Sequence, residues 1–162
     1  MFARMRTLHR DEDGFTLIEL MVVVLIIGIL IAIALPTFLG ARTRAQNRAA
    51  QSDLRNALVA AKTIYTDASS YANAGVAANM TAVEPSLNYV TAAVGTTVNQ
   101  VGIASLASPT AGANQAWAAA RYSASGNCFY ISDDTAVGTR FGQAAGACVA
   151  PTLALAAAAS WT

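Results

Sequence analysis

Twenty consecutive residues without a charge, residues 20–39, constrain the fold of this chain more than any other feature of its sequence. At about 1.5 Å of rise per helical residue, such a run spans about 30 Å, the thickness of the hydrocarbon core of a bilayer. A secretory signal peptide has a shorter apolar region, of about 7–15 residues, which ends at a small-residue cleavage site. The sequence therefore predicts a membrane-spanning helix. The alternative is a core helix of a soluble protein, but the run has no polar face.

The composition of the rest of the chain limits its chemistry. Of the 162 residues, 37 are alanine and only 12% are charged, with a formal net charge of +1. Alanine buries little area, and the charge argues against nucleic acid as a main partner. The only histidine, His9, precedes the apolar run, so no histidine-based catalytic or metal site can form after it. We therefore expect no enzyme activity, no cofactor and no metal.

Two cysteines indicate the compartment of the C-terminal part. Arginines lie on both sides of the apolar run, so the excess of basic residues does not give its orientation: Arg4, Arg6 and Arg10 precede it, and Arg42, Arg44 and Arg48 follow it. Cys128 and Cys148 suit one disulfide in an oxidising compartment, which places the C-terminal part outside the cell membrane. Two unpaired buried thiols are the alternative.

An amphipathic helix pattern follows the apolar run directly. Small or apolar residues recur every three or four positions at Ala45, Ala49, Leu54, Leu58, Ala61, Ile64, Tyr65 and Ala68. The helix is expected to stop within residues 69–75, where serine, asparagine and glycine favour turns. Gly28 and Pro36 interrupt the apolar half, and a bend or a locally unwound stretch is expected between them.

The C-terminal part has the features of a small antiparallel sheet. Strands are predicted at residues 98–106, 116–123 and 127–132, with Ala124-Ser125-Gly126 as a hairpin turn between the last two. Four aromatic residues are assigned to the core and the sheet surface, namely Trp117, Tyr122, Phe129 and Tyr130. Asp133-Asp134 is predicted to mark a turn. The sheet is expected to lie on the amphipathic helix, which gives an α+β fold.

One carboxylate, Glu19, directly precedes the uncharged run. A charge at the centre of a membrane helix costs about 2.5–3.5 kcal/mol, although one near the helix end can reach the interface. The stretch Gly14-Phe15-Thr16-Leu17-Ile18-Glu19 resembles the processing site of type IV prepilins and the related pseudopilins. The resemblance implies cleavage after Gly14 and N-methylation of Phe15.

The resemblance also implies a domain organisation and roles for single residues. Residues 1–14 would be a removed leader, 15–41 a hydrophobic helix, 42–70 an amphipathic helix and 71–162 a β-sheet region with a disulfide-closed loop. Glu19 would pair with the new amine of Phe15, in its own chain or in a neighbouring subunit, because buried opposite charges offset much of each other's desolvation. Gly28 and Pro36 would let the helix bend or melt in a filament. A carboxylate that only reaches the membrane interface is the alternative for Glu19.

These features predict a major type IV pilin, a structural subunit of an extracellular filament. The resemblance implies that its partners are copies of itself, a prepilin peptidase that is also an N-methyltransferase, and an inner-membrane assembly platform with a cytoplasmic ATPase. Before assembly it would be a single-pass protein of the cytoplasmic membrane. A minor pilin or a type II secretion pseudopilin is the first alternative, and an adhesion or DNA-uptake subunit the second. Fourteen residues follow Cys148, a longer tail than the family pattern implies.

Overall fold

The computed structural model describes residues 14–161, which divide into two compact parts at Gly40. We call residues 14–40 the apolar segment and residues 41–161 the C-terminal region. The predicted leader lies outside the described residues, apart from Gly14. Helix α1, Leu17–Ala68, begins in the first part and ends in the second.

In the apolar segment, all side chains up to Leu39 are exposed. The helix continues through Gly28 and Pro36, so the unwound stretch expected between them is absent from this single chain. Pro36 has no N–H to donate to the preceding turn. The hydroxyl of Thr37 donates to the carbonyls of Ile33, at 3.2 Å, and Ala34, at 2.9 Å, in the turn before it.

In the C-terminal region, one face of α1 is buried. The buried residues are Ala50, Leu54, Ala57, Ala60, Ala61 and Ile64. Of the residues predicted to form the apolar face of the helix, Leu54, Ala61 and Ile64 are buried, as expected. Three predicted alanines are exposed, namely Ala45, Ala49 and Ala68. Alanine occurs on every side of this helix, so its spacing alone does not identify the face that packs. The helix ends where the sequence predicts, and Ser69 has a left-handed backbone conformation, with φ of 50°.

The sheet has five strands, in the order β1 to β5. They are β1, Tyr89–Val90; β2, Val101–Ser108; β3, Gly112–Tyr122; β4, Asn127–Asp134; and β5, Gly138–Ala145. β1 and β2 are parallel, and all other pairs are antiparallel. A short helix α2, Ala77–Val83, lies between α1 and the sheet in sequence. The predicted α+β fold and the β3–β4 hairpin are confirmed, whereas β1, β5 and α2 were not predicted.

Alternate residues of the strands form the core with α1. Ile103 pairs in register with Ala119, which pairs with Ile131 on the next strand. Trp117 and Phe129 lie in the same cluster as the buried face of α1, and both are almost completely buried. Their assignment to the core is thereby confirmed.

The opposite face of the sheet is covered by two segments without strands. Val94 and Ala156 pack there against Tyr130 and the disulfide. A Cβ on Gly102 would lie 2.6 Å from the carbonyl oxygen of Ala92, and one on Gly142 only 1.8 Å from that of Leu155. Both glycines therefore allow the covering segments to approach the sheet closely.

The C-terminal tail closes the free edge of β5. Ala158 and Phe141 exchange two backbone hydrogen bonds of 2.8 Å. The indole N–H of Trp161 donates to the carbonyls of Tyr130 and Gly142, and its ring lies edge-on to Phe141 with centroids 4.6 Å apart. The tail thus blocks an edge that could otherwise pair with another strand.

Asp133 and Asp134 do not form a turn, contrary to the sequence prediction. They are the last two residues of β4 and only 5% exposed. The turn follows them, because the amide of Val137 donates to the carbonyl of Asp134. The side chain of Asp134 accepts hydrogen bonds from Ser108 and from the backbone of Ala136. Burial is possible because these donors replace water.

Candidate functional site

The start of α1 is built around Thr16 and Glu19. The backbone N–H and the hydroxyl of Thr16 both donate to Glu19 Oε2, at 2.8 and 2.6 Å. In return, the amide of Glu19 donates to the hydroxyl oxygen of Thr16 at 3.3 Å. This is a capping box, in which residues three positions apart satisfy each other's free N–H groups. Glu19 therefore has a local function in this chain that the sequence analysis did not anticipate.

The second carboxylate oxygen of Glu19 is available for another partner. Within residues 14–161, Oε1 makes no hydrogen bond or ion pair. Glu19 lies among exposed apolar side chains at the start of α1, namely Phe15, Ile18, Val22 and Val23. A cation that met this carboxylate in a packed assembly would be surrounded by hydrocarbon.

Gly14 and Phe15 precede the first helical residue and are exposed. The side chain of Phe15 is 81% exposed, and nothing lies within 4 Å of the position of a Cβ on Gly14. The peptide bond between them is thus outside the helix and accessible, as a peptidase substrate has to be.

The apolar segment presents a large hydrophobic surface. The most apolar stretch of 18 residues in α1 has a mean hydropathy of 3.1, and none of its residues is buried. This helix is long and apolar enough to cross a membrane. An exposed apolar surface of this size requires lipid or other apolar helices to cover it.

A polar cluster joins the end of α1 to the sheet in the C-terminal region. Asp133 accepts from the hydroxyls of Tyr71 and Thr139, both at 2.6 Å, and lies 3.0 Å from the ammonium of Lys62. Burial, followed by the hydrogen bond to Asp133, raises the pKa of Tyr71 above its ordinary value. The contacts of this cluster are those of a structural joint.

Further contacts hold the middle of α1 to the sheet. The carboxylate of Asp53 lies 2.6 Å from Arg121 Nε. Asn47 accepts from Ser123 at 2.9 Å and also from Ser125, both in the β3–β4 turn. In residues 14–161 no group of His, Cys, Asp or Glu side chains could hold a metal ion.

The structure forms the disulfide between Cys128 and Cys148, which confirms the predicted pairing. Cys128 lies on β4, and Cys148 exchanges backbone hydrogen bonds with Gly95. The bridge therefore ties the covering segment around Gly95, the start of the tail and the sheet together.

One functional contact that the sequence analysis missed was visible in the sequence. Thr16 and Glu19 have the Thr-x-x-Glu spacing of a capping box, ahead of an apolar run. The roles of Asp53, Arg121 and Asp133 had no comparable signal, because the residues that tie them to the helix or the sheet are distant in sequence, apart from Thr139.

A model of the prokaryotic N-terminal methylation motif matches residues 9–35. The chain is 39% identical over 70 residues to the type IV major pilin protein PilA of Myxococcus xanthus, covering 43% of this chain and 32% of that protein. It is 40% identical over 62 residues to the type IV wide pilus major component PilA4 of Thermus thermophilus, and the match covers 38% of this chain and 47% of that protein.

The chain is also similar to a secretion protein. It is 44% identical over 52 residues to the type II secretion system core protein G of Aeromonas hydrophila, covering 30% of this chain and 36% of that protein. Each match thus spans less than half of the relative's length. No solved structure matches the chain. The relatives are structural components and not enzymes.

Proposed function

We propose, from the premise that this chain is a type IV pilin-like protein related to the pseudopilins, that it is the major structural subunit of a type IV pilus. The observation that supports this most directly is the uncovered apolar segment behind a methylation motif. In the membrane, lipid covers this surface. In a filament, the same surface of many copies would be covered by their neighbours.

Processing would begin at the accessible bond between Gly14 and Phe15. A prepilin peptidase would remove the leader and methylate the new amine of Phe15. The assembly platform and its ATPase would then move the subunit from the membrane into the filament. With the disulfide formed, the C-terminal region would lie outside the cytoplasmic membrane and later on the pilus surface.

Glu19 would have two successive roles. Its Oε2 completes the capping box, while Oε1 is directed to the ammonium of Phe15 in a neighbouring subunit. The cap fixes the position of the side chain through Oε2, and the carboxylate can still form an ion pair through Oε1. The pair would set the axial position of each incoming subunit, since an unpaired charge among apolar side chains is costly.

Two substitutions separate the two roles. Glu19→Gln retains the capping box, which accepts glutamine, but removes the charge. Thr16→Ala retains the charge and removes the side-chain cap. We expect Glu19→Gln to reduce the yield of sheared filaments by about a hundredfold, the effect of breaking a buried ion pair, and Thr16→Ala to reduce it far less. Equal yields from Glu19→Gln and the unsubstituted chain would exclude the charge pair.

The proposed function itself is tested on filaments sheared from cells that express the chain. Electron microscopy should show abundant fibres, and Edman or mass-spectrometric sequencing should find N-methylated Phe15 as the first residue. An intact leader on the fibre subunit, or no fibre that contains the chain, would contradict the proposal.

A type II secretion pseudopilin is the second candidate, because core protein G is among the relatives. It would share the processing and the apolar segment. Deletion of the gene would then block protein secretion while leaving long surface fibres intact. Loss of the fibres with normal secretion would favour the pilin.

A further inference from the structure

Three arginines follow the apolar run and remain without ionic partners. Arg42, Arg44 and Arg48 lie three to nine residues after Leu39 and are exposed. None of them forms an ion pair within residues 14–161. No acidic residue occurs between Glu19 and Asp53, and Asp53 is already paired with Arg121. The chain therefore carries three unneutralised positive charges here.

Arg42 and Arg44 precede the first contact of α1 with the β3–β4 turn, which Asn47 makes, and Arg48 follows Asn47 directly. All three precede Ala50, the first buried residue of α1. Within residues 14–161, the side chains of these arginines make no hydrogen bond and no ion pair. Their charges can therefore meet a partner outside this chain.

We propose that these arginines bind the phosphate groups of anionic phospholipids at the surface of the membrane that the apolar segment crosses. Guanidinium groups bind phosphate oxygens through paired hydrogen bonds. Basic residues next to a membrane span are attracted to anionic headgroups, with a gain of about fivefold in binding per residue. The inference rests on the membrane-inserted stage of the proposed function.

The arrangement of the arginines around the helix favours headgroups over nucleic acid. With 3.6 residues per turn, Arg42 and Arg44 point about 160° apart, whereas Arg44 and Arg48 are about 40° apart. Because headgroups surround a membrane helix on all sides, arginines on opposite sides of the helix can each bind a phosphate. A nucleic acid duplex would contact one side and leave Arg42 without a phosphate.

The test measures which lipid the full chain selects. The chain is reconstituted in phosphatidylcholine vesicles with trace spin-labelled phosphatidylglycerol or spin-labelled phosphatidylcholine. Electron paramagnetic resonance then gives the fraction of labelled lipid immobilised by the protein. We expect phosphatidylglycerol to be preferred by about fivefold or more, and the preference to fall as salt is added.

Three variants identify the groups responsible. The triple variant Arg42→Gln, Arg44→Gln and Arg48→Gln should lose the preference, whereas lysines at the same positions should keep most of it. A control variant that removes charge elsewhere in the C-terminal region, Arg55→Gln with Arg140→Gln, should retain it. Far-ultraviolet circular dichroism and an unchanged midpoint of denaturant unfolding confirm that each variant is folded.

Equal immobilisation of the two lipids, or a preference that survives in the glutamine triple variant, would overturn the inference. So would tight binding of duplex DNA that depends on these arginines without any lipid preference. None of these results would affect filament formation, which is measured on cells. Conversely, a chain that forms no filaments could still select lipid in vesicles.

Discussion

The two parts of this molecule differ in whether the chain covers its own apolar surface. In the C-terminal region, Leu54 of α1 is completely buried, and both faces of the sheet are covered. In the apolar segment, Leu25 is 63% exposed, on the same helix. The C-terminal region thus covers its apolar surface with its own residues, whereas the apolar segment leaves its surface to be covered by lipid or other chains.

The largest effect is expected from a pair of identical substitutions in the two parts. Leu54→Ala should lower the free energy of unfolding of the C-terminal region by about 4 kcal/mol, because a buried side chain is removed and a cavity remains. Leu25→Ala should change it by less than about 0.5 kcal/mol. Denaturant titration in detergent, followed by tryptophan fluorescence, measures both. Similar losses would mean that the two parts are not independent.

Removal of the disulfide should have the next largest effect. Cys128→Ser with Cys148→Ser should lower the free energy of unfolding of the C-terminal region by about 3 kcal/mol, since a closed loop restricts the unfolded chain. The same denaturant titration measures the loss. The reduced unsubstituted chain is the control and should be destabilised similarly. Helix content and vesicle insertion of the apolar segment should not change. A change in either would mean that the two parts of the chain are not independent.

Alkaline pH should destabilise only the C-terminal region. Burial raises the pKa of Tyr71 and of Tyr89 above the ordinary value of 10.0, with further contributions from Asp133 for the first and from Glu84 and Asp53 for the second. Because each pKa is higher in the folded than in the unfolded chain, the stability that each neutral tyrosine contributes is fully present below pH 10 and is lost as the pH rises above 10. The free energy of unfolding should then fall by about 1.4 kcal/mol per pH unit for each tyrosine.

Thermal unfolding measured at increasing pH tests this prediction. Tyr71→Phe should reduce by about half the decrease in the free energy of unfolding per pH unit. A stability that stays constant above pH 10 would contradict it. The described part of the apolar segment contains no tyrosine, so its helix content should be unaffected.

The smallest effect is local to the start of α1. Thr16→Ala should destabilise the first turn by about 1 kcal/mol, the usual value of an N-cap. Hydrogen exchange at the amide of Glu19 should become several times faster, whereas Thr16→Ser should retain the slow rate. The free energy of unfolding of the C-terminal region should be the same in both variants. No acceleration in Thr16→Ala would mean that the cap contributes nothing in the membrane environment.

The elements that were predicted correctly have signals within short stretches of sequence. The helix follows from unbroken apolar and amphipathic periodicity, and its end from the serines that follow Ala68. The β3–β4 hairpin follows from Ser125-Gly126 between two strands with aromatic residues. The disulfide follows from the presence of only two cysteines.

The missed elements have no such local signal. Strand β5 contains two glycines and two alanines among its eight residues, a composition that does not favour a strand by itself. It becomes a strand because every residue of it pairs in register with β4. Strand β1 has only two residues and exists through its parallel pairing with β2.

By itself, the sequence determined that this chain has a long helix with an apolar start, a processing motif and a small sheet region, because each depends on neighbouring residues. Only the tertiary structure decided that Asp133 is buried, since its partners Lys62 and Tyr71 are distant in sequence and Thr139 faces it on the neighbouring strand β5. It also decided that the tail after Cys148 closes the edge of β5. Contacts between residues far apart in sequence depend on the path of the whole chain, which no local pattern records.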